Sequence, residues 1–134
     1  MRGAMTLWLA IAAASLLGTN AYAQSDASSV MAYAPSCQAA ADVVQGRRPA
    51  ADSVEASAQL RKAALCFGAM TAIMNLEAIF KPEFAACPPK DKPVSVNQMV
   101  LIVVAYLKSH PEQSRDNFHQ AAVKALATAW PCPQ

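Results

Sequence analysis

Residues 94–107, VSVNQMVLIVVAYL, decide the fold class of this chain of 134 residues. The Ser95 hydroxyl can accept a hydrogen bond from the backbone amide of Gln98, and the Gln98 side chain can reach back to the Ser95 amide, a reciprocal pattern that begins helices. The run that follows is almost entirely apolar, which is typical of a helix buried on most sides. A buried β-strand is the alternative, because the run is rich in β-branched residues. Its length, its helix-start signal and the lack of a partner strand favour a central helix.

Two more helices are predicted before this segment. The first covers residues 37–45, with Ser36 as its capping residue. The second begins with a capping pattern at Asp52, and its apolar residues recur at three- and four-residue steps until Pro82 interrupts the pattern. Because a glycine inside a helix costs about 1 kcal/mol relative to alanine, Gly68 predicts a close approach of a neighbouring helix or a local kink.

A fourth helix is predicted after the central one. Pro111 lies in its first turn, where proline is tolerated, and Pro131 ends it. Its apolar face consists of Phe118, Ala121, Ala122, Ala125, Leu126 and Ala129. Together these patterns predict an all-α protein, a small four-helix bundle-like domain with two disulfides, preceded by a cleavable signal peptide.

The signal peptide is predicted in residues 1–23. Arg2 supplies the positive end, residues 4–17 form an apolar core without charge, and residues 21–23, Ala-Tyr-Ala, place small side chains at the cleavage positions. The core is shorter than the roughly 20 residues that span a bilayer. An uncleaved, membrane-tethered form is the alternative. Cleavage predicts a secreted protein in an oxidising compartment, free of the membrane.

The predicted mature chain is small and nearly neutral. Cleavage after Ala23 leaves a flexible mature N-terminus, residues 24–35, and one helical domain, residues 36–134. Without Arg2, 10 basic residues face 9 acidic ones, which gives a net charge of +1. This charge is too small for an electrostatic nucleic-acid or membrane-binding surface.

The four cysteines are Cys37, Cys66, Cys87 and Cys132, all in the predicted mature chain. In an exported chain this even number predicts two disulfides, for which three connectivities exist. In an up-and-down bundle, Cys87 and Cys132 each follow a helix at the same end, which favours this pair. Cys37 and Cys66 then face each other across a helical hairpin with an axial offset of roughly 7 Å. The wide spacings lack the close cysteine pairs of zinc sites.

No catalytic or cofactor motif is present in the sequence. It contains no H-E-x-x-H, no G-x-S-x-G and no glycine-rich phosphate loop. The two histidines, His110 and His119, are expected to cap a helix or to lie on the surface. We therefore expect no enzymatic activity, no cofactor and no metal.

Two loops are candidate surfaces for a partner protein. A proline-rich loop, residues 81–93, contains Cys87, and a loop held by prolines and a disulfide loses less entropy on docking than a flexible one. A basic turn, Arg47-Arg48-Pro49, follows the first helix. The alternative for the proline-rich loop is that Cys87 and the prolines only connect the second and third helices. The candidate contact residues are Lys81, Glu83, Phe84, Lys90, Asp91, Lys92, Arg47 and Arg48.

The order of several short motifs resembles the Rap/Tai immunity-protein family across about residues 37–132. The matching motifs are Cys66-Phe67-Gly68, Cys87-Pro88, Gln98 in the apolar helix, Tyr106-Leu107 before His110-Pro111, and Ala125-Leu126 before Ala129-Trp130-Pro131-Cys132.

This resemblance implies an all-helical periplasmic protein, often dimeric. Such a protein binds and blocks a peptidoglycan-cleaving amidase delivered by a type VI secretion system, and so protects the producing cell and its siblings. Inhibition of this kind requires no catalysis, which agrees with the missing motifs. The alternative is a periplasmic helical binding or chaperone-like protein that shares the fold but has no amidase partner.

Overall fold

The described residues contain four α-helices. The structure is a computed structural model that describes residues 27–47, 49, 53–79 and 86–133. The helices are α1 (Val30–Val44), α2 (Val54–Ile79), α3 (Val96–Ser109) and α4 (Phe118–Ala129), and a 3₁₀-helix (Pro111–Arg115) precedes α4. No β-strand occurs in these described ranges, so the all-α prediction is confirmed. The predicted signal peptide, residues 1–23, lies outside them.

The central helix, α3, begins as its sequence predicts. The Ser95 hydroxyl accepts a hydrogen bond from the Gln98 amide at 3.2 Å, and the Gln98 side-chain oxygen accepts one from the Ser95 amide at 3.1 Å. α3 packs against each of the other three helices. Its apolar character does not mean complete burial, however: Val100 is inaccessible, Leu101 is half-buried and Ala105 is exposed. The strand alternative for this segment is wrong.

The first helix starts earlier than predicted. α1 begins at Val30, where the Ser29 hydroxyl accepts a hydrogen bond from the Ala32 amide at 3.3 Å. The predicted start at Cys37 is therefore wrong, and so is the predicted flexible segment over the described residues 30–35. Pro35 lies inside α1 and removes one backbone donor, which makes the segment resemble a loop in sequence.

Contacts with the far end of the chain hold the start of α1. The Val30 amide donates to the Asp116 carbonyl at 2.9 Å, and the Phe118 amide donates to the Ser28 carbonyl at 2.8 Å. The Tyr33 ring stacks on the Phe118 ring with 4.4 Å between centroids. These contacts outweigh the weak helical signal of the local sequence.

The predicted fourth helix is interrupted. The segment from Pro111 is a 3₁₀-helix, and α4 begins only at Phe118. The Asn117 side-chain oxygen accepts hydrogen bonds from the His119 and Gln120 amides at 3.0 and 3.3 Å, which makes Asn117 the capping residue of a new helix. The predicted apolar face of α4 is buried except for Ala129, which is exposed.

The long helix α2 presents its apolar row to the core. Ala63, Cys66, Met70 and Ile73 are each at most 2% exposed. At the start of α2, the Ser53 hydroxyl accepts a hydrogen bond from the Ala56 amide at 3.0 Å; the predicted cap, Asp52, lies outside the described residues.

Gly68 does not contact a neighbouring helix. It is exposed on α2, and a Cβ atom at this position would meet no described atom within 4 Å. The predicted close approach is therefore wrong for the part of the molecule that the structure describes.

Both disulfides join the pairs that bundle geometry favours in the sequence. Cys37–Cys66 links α1 to α2 with 4.9 Å between Cα atoms, and both residues are fully buried. Cys87–Cys132 links the segment before α3 to the segment after α4, with 4.8 Å between Cα atoms. The core between them is rich in alanine, whose small side chains bury little apolar area. The disulfides are therefore expected to contribute a large share of the stability.

None of the helices in the described residues is long and apolar enough to cross a bilayer.

Candidate partner-binding surfaces

The described part of the proline-rich loop is tied to the end of α4. The Cys87–Cys132 disulfide is reinforced by a 2.8 Å hydrogen bond from the Cys87 amide to the Trp130 carbonyl. An isolated antiparallel bridge pairs Ala86 with Pro131 at the same point. These links fix the position from which the loop leads into α3.

The described charged residues of this loop face solvent. Lys90, Asp91 and Lys92 are exposed, and none makes a side-chain hydrogen bond or ion pair with another described residue. Their charges are therefore available to a partner. The candidate contact residues Lys81, Glu83 and Phe84 lie outside the described residues.

The basic turn after α1 has a defined geometry. Gly46 has a φ of 73°, the left-handed conformation that commonly ends a helix. The Arg47 guanidinium then folds back onto Asp42, with 2.7 Å between Nη2 and Oδ1, and the Arg47 carbonyl accepts a hydrogen bond from Gln59 at 3.3 Å. Arg48 lies outside the described residues.

The Asp42 carboxylate accepts hydrogen bonds from the side chains of Arg47 and Gln38. The hydrogen bond from Arg47 is the main reason that the pKa of Asp42 lies below the ordinary value of 3.8. The hydrogen bond from Gln38 and the charges of Arg47 and Lys108 act in the same direction, whereas partial burial opposes them. Arg47 is thus already partnered within the chain, and no hydrogen bond or ion pair between described residues joins it to Lys90, Asp91 or Lys92.

The two histidines contact aromatic side chains and the backbone. His110 is the C-cap residue of α3; its Nδ1 lies 2.8 Å from the Tyr106 carbonyl oxygen, and its ring stacks on the Tyr106 ring at 4.0 Å. The Ser109 hydroxyl lies 3.0 Å from the same nitrogen. His119 meets the Tyr33 and Phe118 rings edge-on. Within the described ranges no group of three His, Cys, Asp or Glu residues could hold a metal ion.

A surface that the sequence interpretation missed lies between α1 and the last turns of α3. It is an open groove of about 450 Å³, whose walls include Val30, Met31 and Pro35 from α1 and Val104 and Leu107 from α3. A second hollow of about 550 Å³ is also lined by Met31 and includes Arg115. The missed signal was the helical spacing of Val30, Ala34 and Cys37, which Pro35 obscured.

These features define a class of protein: a disulfide-bonded helical domain that offers preformed loops and grooves to a partner. The family model of the Rap1a immunity proteins matches residues 29–132, and the chain belongs to this family. The match confirms the predicted Rap/Tai resemblance and begins at the capping residue of α1. Neither a curated protein nor a solved structure matches the chain.

Family membership indicates an immunity protein that binds a secreted effector. Proteins of this family are generally non-enzymatic. The two disulfides fit a secreted or periplasmic protein, because cytosolic thiols are kept reduced.

Proposed function

We propose that this protein binds and inhibits a peptidoglycan amidase that a type VI secretion system delivers to the periplasm, and so protects the producing cell and its siblings. The observation that carries the proposal is the immunity-family match over residues 29–132, which includes all four helices. Inhibition occurs by binding alone, with no catalytic step, cofactor or metal on the immunity protein.

The periplasm is the proposed compartment because the target of the amidase, peptidoglycan, lies there. The predicted signal peptide, residues 1–23, would export the chain, and the Cys37–Cys66 and Cys87–Cys132 disulfides would form after export. An immunity protein retained in the cytoplasm would not meet the amidase. The domain proposed for the exported form includes all of α1 and therefore begins at residue 29, where the family match starts, after a short N-terminal segment that begins at residue 24.

The proposed inhibitory surface is centred on the proline-rich loop. Lys90, Asp91 and Lys92 are exposed and unpaired among the described residues, and the Cys87–Cys132 disulfide anchors their segment. A loop fixed before binding retains more of its contact energy as affinity. By occupying the active-site groove of the amidase, the loop would exclude the peptidoglycan strand. The other proposed contacts are Lys81, Glu83, Phe84, Arg47 and Arg48.

A homodimer is proposed through the exposed stripe of α2. Leu65, Gly68, Ala72 and Leu76 follow one another at three- and four-residue steps and so share one face, where Leu65 is 63% and Leu76 48% exposed. The small residues between the leucines permit a second helix to approach. Sedimentation equilibrium of the mature chain should give twice the chain mass, and Leu65→Asp should return it to the monomer mass. A wild-type monomer at 100 μM would contradict the dimer.

Coexpression in a bacterial host tests the function. An amidase encoded beside this gene is directed to the periplasm, and the turbidity of the culture is followed with either the full chain or a chain that lacks residues 1–23. We expect the full chain to prevent lysis and the shortened chain to fail. An amidase without its catalytic cysteine is the control for toxicity unrelated to peptidoglycan cleavage. If the full chain is present in the periplasm and the culture still lyses as fast as it does without the chain, the proposed function is contradicted.

A further inference from the structure

The groove between α1 and α3 is an apolar surface that no described residue covers. Val30 and Val104 form its floor and are 5% and 9% exposed, whereas Met31 stands at its edge with 60% of its surface exposed. A methionine side chain is flexible and polarisable, and it adapts readily to an apolar partner. The groove therefore has the buried floor and the free apolar wall of a docking site.

The described charged residues that line the groove have one sign. Lys108 lines the groove and Arg115 lines the adjoining hollow, and no acidic residue among the described ones lines either of them. Both cations are exposed, and neither forms an ion pair with another described residue. The Asp42 carboxylate, on which the Lys108 charge acts, is bound to Arg47 instead. A partner that fits this surface is apolar in the middle and acidic at its edges.

The walls of the groove are fixed before any partner binds. On the α1 side, the Val30 amide is bonded to the Asp116 carbonyl, and Tyr33 stacks on the fully buried Phe118. On the α3 side, His110 is held by the Tyr106 carbonyl and ring. Little ordering entropy is lost when a segment enters such a groove.

The groove is separate from the proline-rich loop. The loop leads into the first turn of α3, whereas the groove flanks the turns from Val104 to Lys108. At 1.5 Å per residue the two surfaces are about 12 to 18 Å apart along α3. An interface of standard size covers about 800 Å² on each partner, a patch roughly 30 Å across, so one partner is large enough to reach both.

We propose that this groove is a second contact site for the effector and receives an apolar, acid-flanked polypeptide segment of it, with Met31 as the apolar anchor and Lys108 and Arg115 as the partners of its carboxylates. The proposal rests on the proposed function. A polypeptide suits the open shape better than a single acyl chain, because small ligands usually bury 70 to 90% of their surface in closed pockets. An amphipathic helix laid along two helices is a common form of such recognition.

Calorimetric titration with the effector tests this inference. The inactive amidase, with its catalytic cysteine replaced, is titrated into the wild-type mature chain and into Met31→Asp, Lys108→Glu and Leu60→Asp. Leu60 is the matched control, since it is an exposed apolar residue of α2, 50% exposed, that lines neither hollow. Because all three side chains are exposed, each variant should unfold near the wild-type temperature.

We expect Met31→Asp to raise the Kd by about 30-fold, as loss of an interface anchor does, and Lys108→Glu to raise it by about 10-fold. Leu60→Asp should leave it within about two-fold. If the wild type binds and both groove variants bind equally well, the groove proposal is wrong while the proposed function stands. An unchanged Kd for Lys108→Glu alone would overturn the acidic character of the segment.

Three further outcomes are decisive. If the wild type does not bind the amidase at all, the proposed function fails for that effector and this inference fails with it. If Met31→Asp converts a dimer to a monomer in sedimentation, the occupant is a second copy of this chain, which overturns the effector segment. Binding of 1 mM dodecanoate that Met31→Asp abolishes, without any effect of that variant on the amidase, would identify the groove as a fatty-acid site instead.

Discussion

The two disulfides should contribute unequally to stability, in an order opposite to that of their loop lengths. Closing loops of 29 and 45 residues in the chain-entropy model gives about 3.6 kcal/mol for Cys37–Cys66 and about 4.0 kcal/mol for Cys87–Cys132. By entropy alone, loss of the second bond should therefore cost slightly more.

Burial reverses this order. Cys37 and Cys66 are both 0% exposed, whereas Cys87 is exposed and Cys132 half-buried. Replacing the inner pair with alanine leaves a cavity where two sulfur atoms packed, at about 1 kcal/mol for each atom lost. We expect Cys37→Ala/Cys66→Ala to destabilise the mature chain by about 5 to 6 kcal/mol, and Cys87→Ala/Cys132→Ala by about 4 kcal/mol.

Urea unfolding followed by circular dichroism measures both values, with the mature wild-type chain as the reference. Since small domains are stable by only about 5 to 15 kcal/mol, the inner variant is expected to be unfolded or nearly so in dilute buffer. An inner variant that is more stable than the outer one would refute the reasoning. Mild reduction supplies an independent check, because thiol exchange needs access to sulfur and should open Cys87–Cys132 first.

Three further substitutions test the packing, capping and charge of the fold. Phe118→Ala should cost about 3 to 5 kcal/mol in urea unfolding, because the ring is 0% exposed and stacks on Tyr33; a loss below 1 kcal/mol would contradict this packing. Ser95→Ala should cost about 1 kcal/mol through loss of the α3 capping box, and Ser95→Asp should recover most of it. Asp42 has a lowered pKa in the folded state, so its stabilising effect is complete above its ordinary pKa of 3.8 and is lost as the pH falls through the lowered value. Asp42→Asn should therefore be slightly less stable than wild type at pH 7 and equally stable at about pH 2, and an unchanged gap at both pH values would show that the charge is irrelevant.

The parts of the fold predicted correctly depend on contacts between residues close in sequence. The capping box joins Ser95 to Gln98, three positions later, and the buried row from Ala63 to Ile73 repeats with the helical period. In such segments the local chemistry and the tertiary structure favour the same conformation. The disulfide pairs could also be anticipated, because an up-and-down bundle brings the ends of alternate helices together.

The incorrect parts depend on contacts between distant residues. The start of α1 is held by the hydrogen bond between the Val30 amide and the Asp116 carbonyl, and Asn117, the capping residue of α4, directly follows Asp116. No pattern within either segment reveals this pairing. Pro35 suggests a loop, although tertiary contacts impose a helix there. Pro111 suggests the start of an uninterrupted helix, although tertiary contacts interrupt it.

The two candidate surfaces also differ in how far the sequence reveals them. Prolines and charges are visible in the sequence, so the loop containing Lys90, Asp91 and Lys92 could be named in advance. The groove could not, because it exists only where the early turns of α1 meet the late turns of α3. The immunity function came from the family resemblance, since helical periodicity and composition describe a binding domain without specifying its partner.

Inhibition of the purified amidase is the most direct test of the central claim. Release of dye from labelled peptidoglycan is measured while the oxidised mature chain is titrated against a fixed concentration of the neighbouring amidase. We predict complete inhibition at a fixed stoichiometry, and weaker inhibition when Lys90 and Lys92 are both changed to Glu. An amidase that remains fully active at a hundredfold excess of the folded, disulfide-bonded chain would contradict the account.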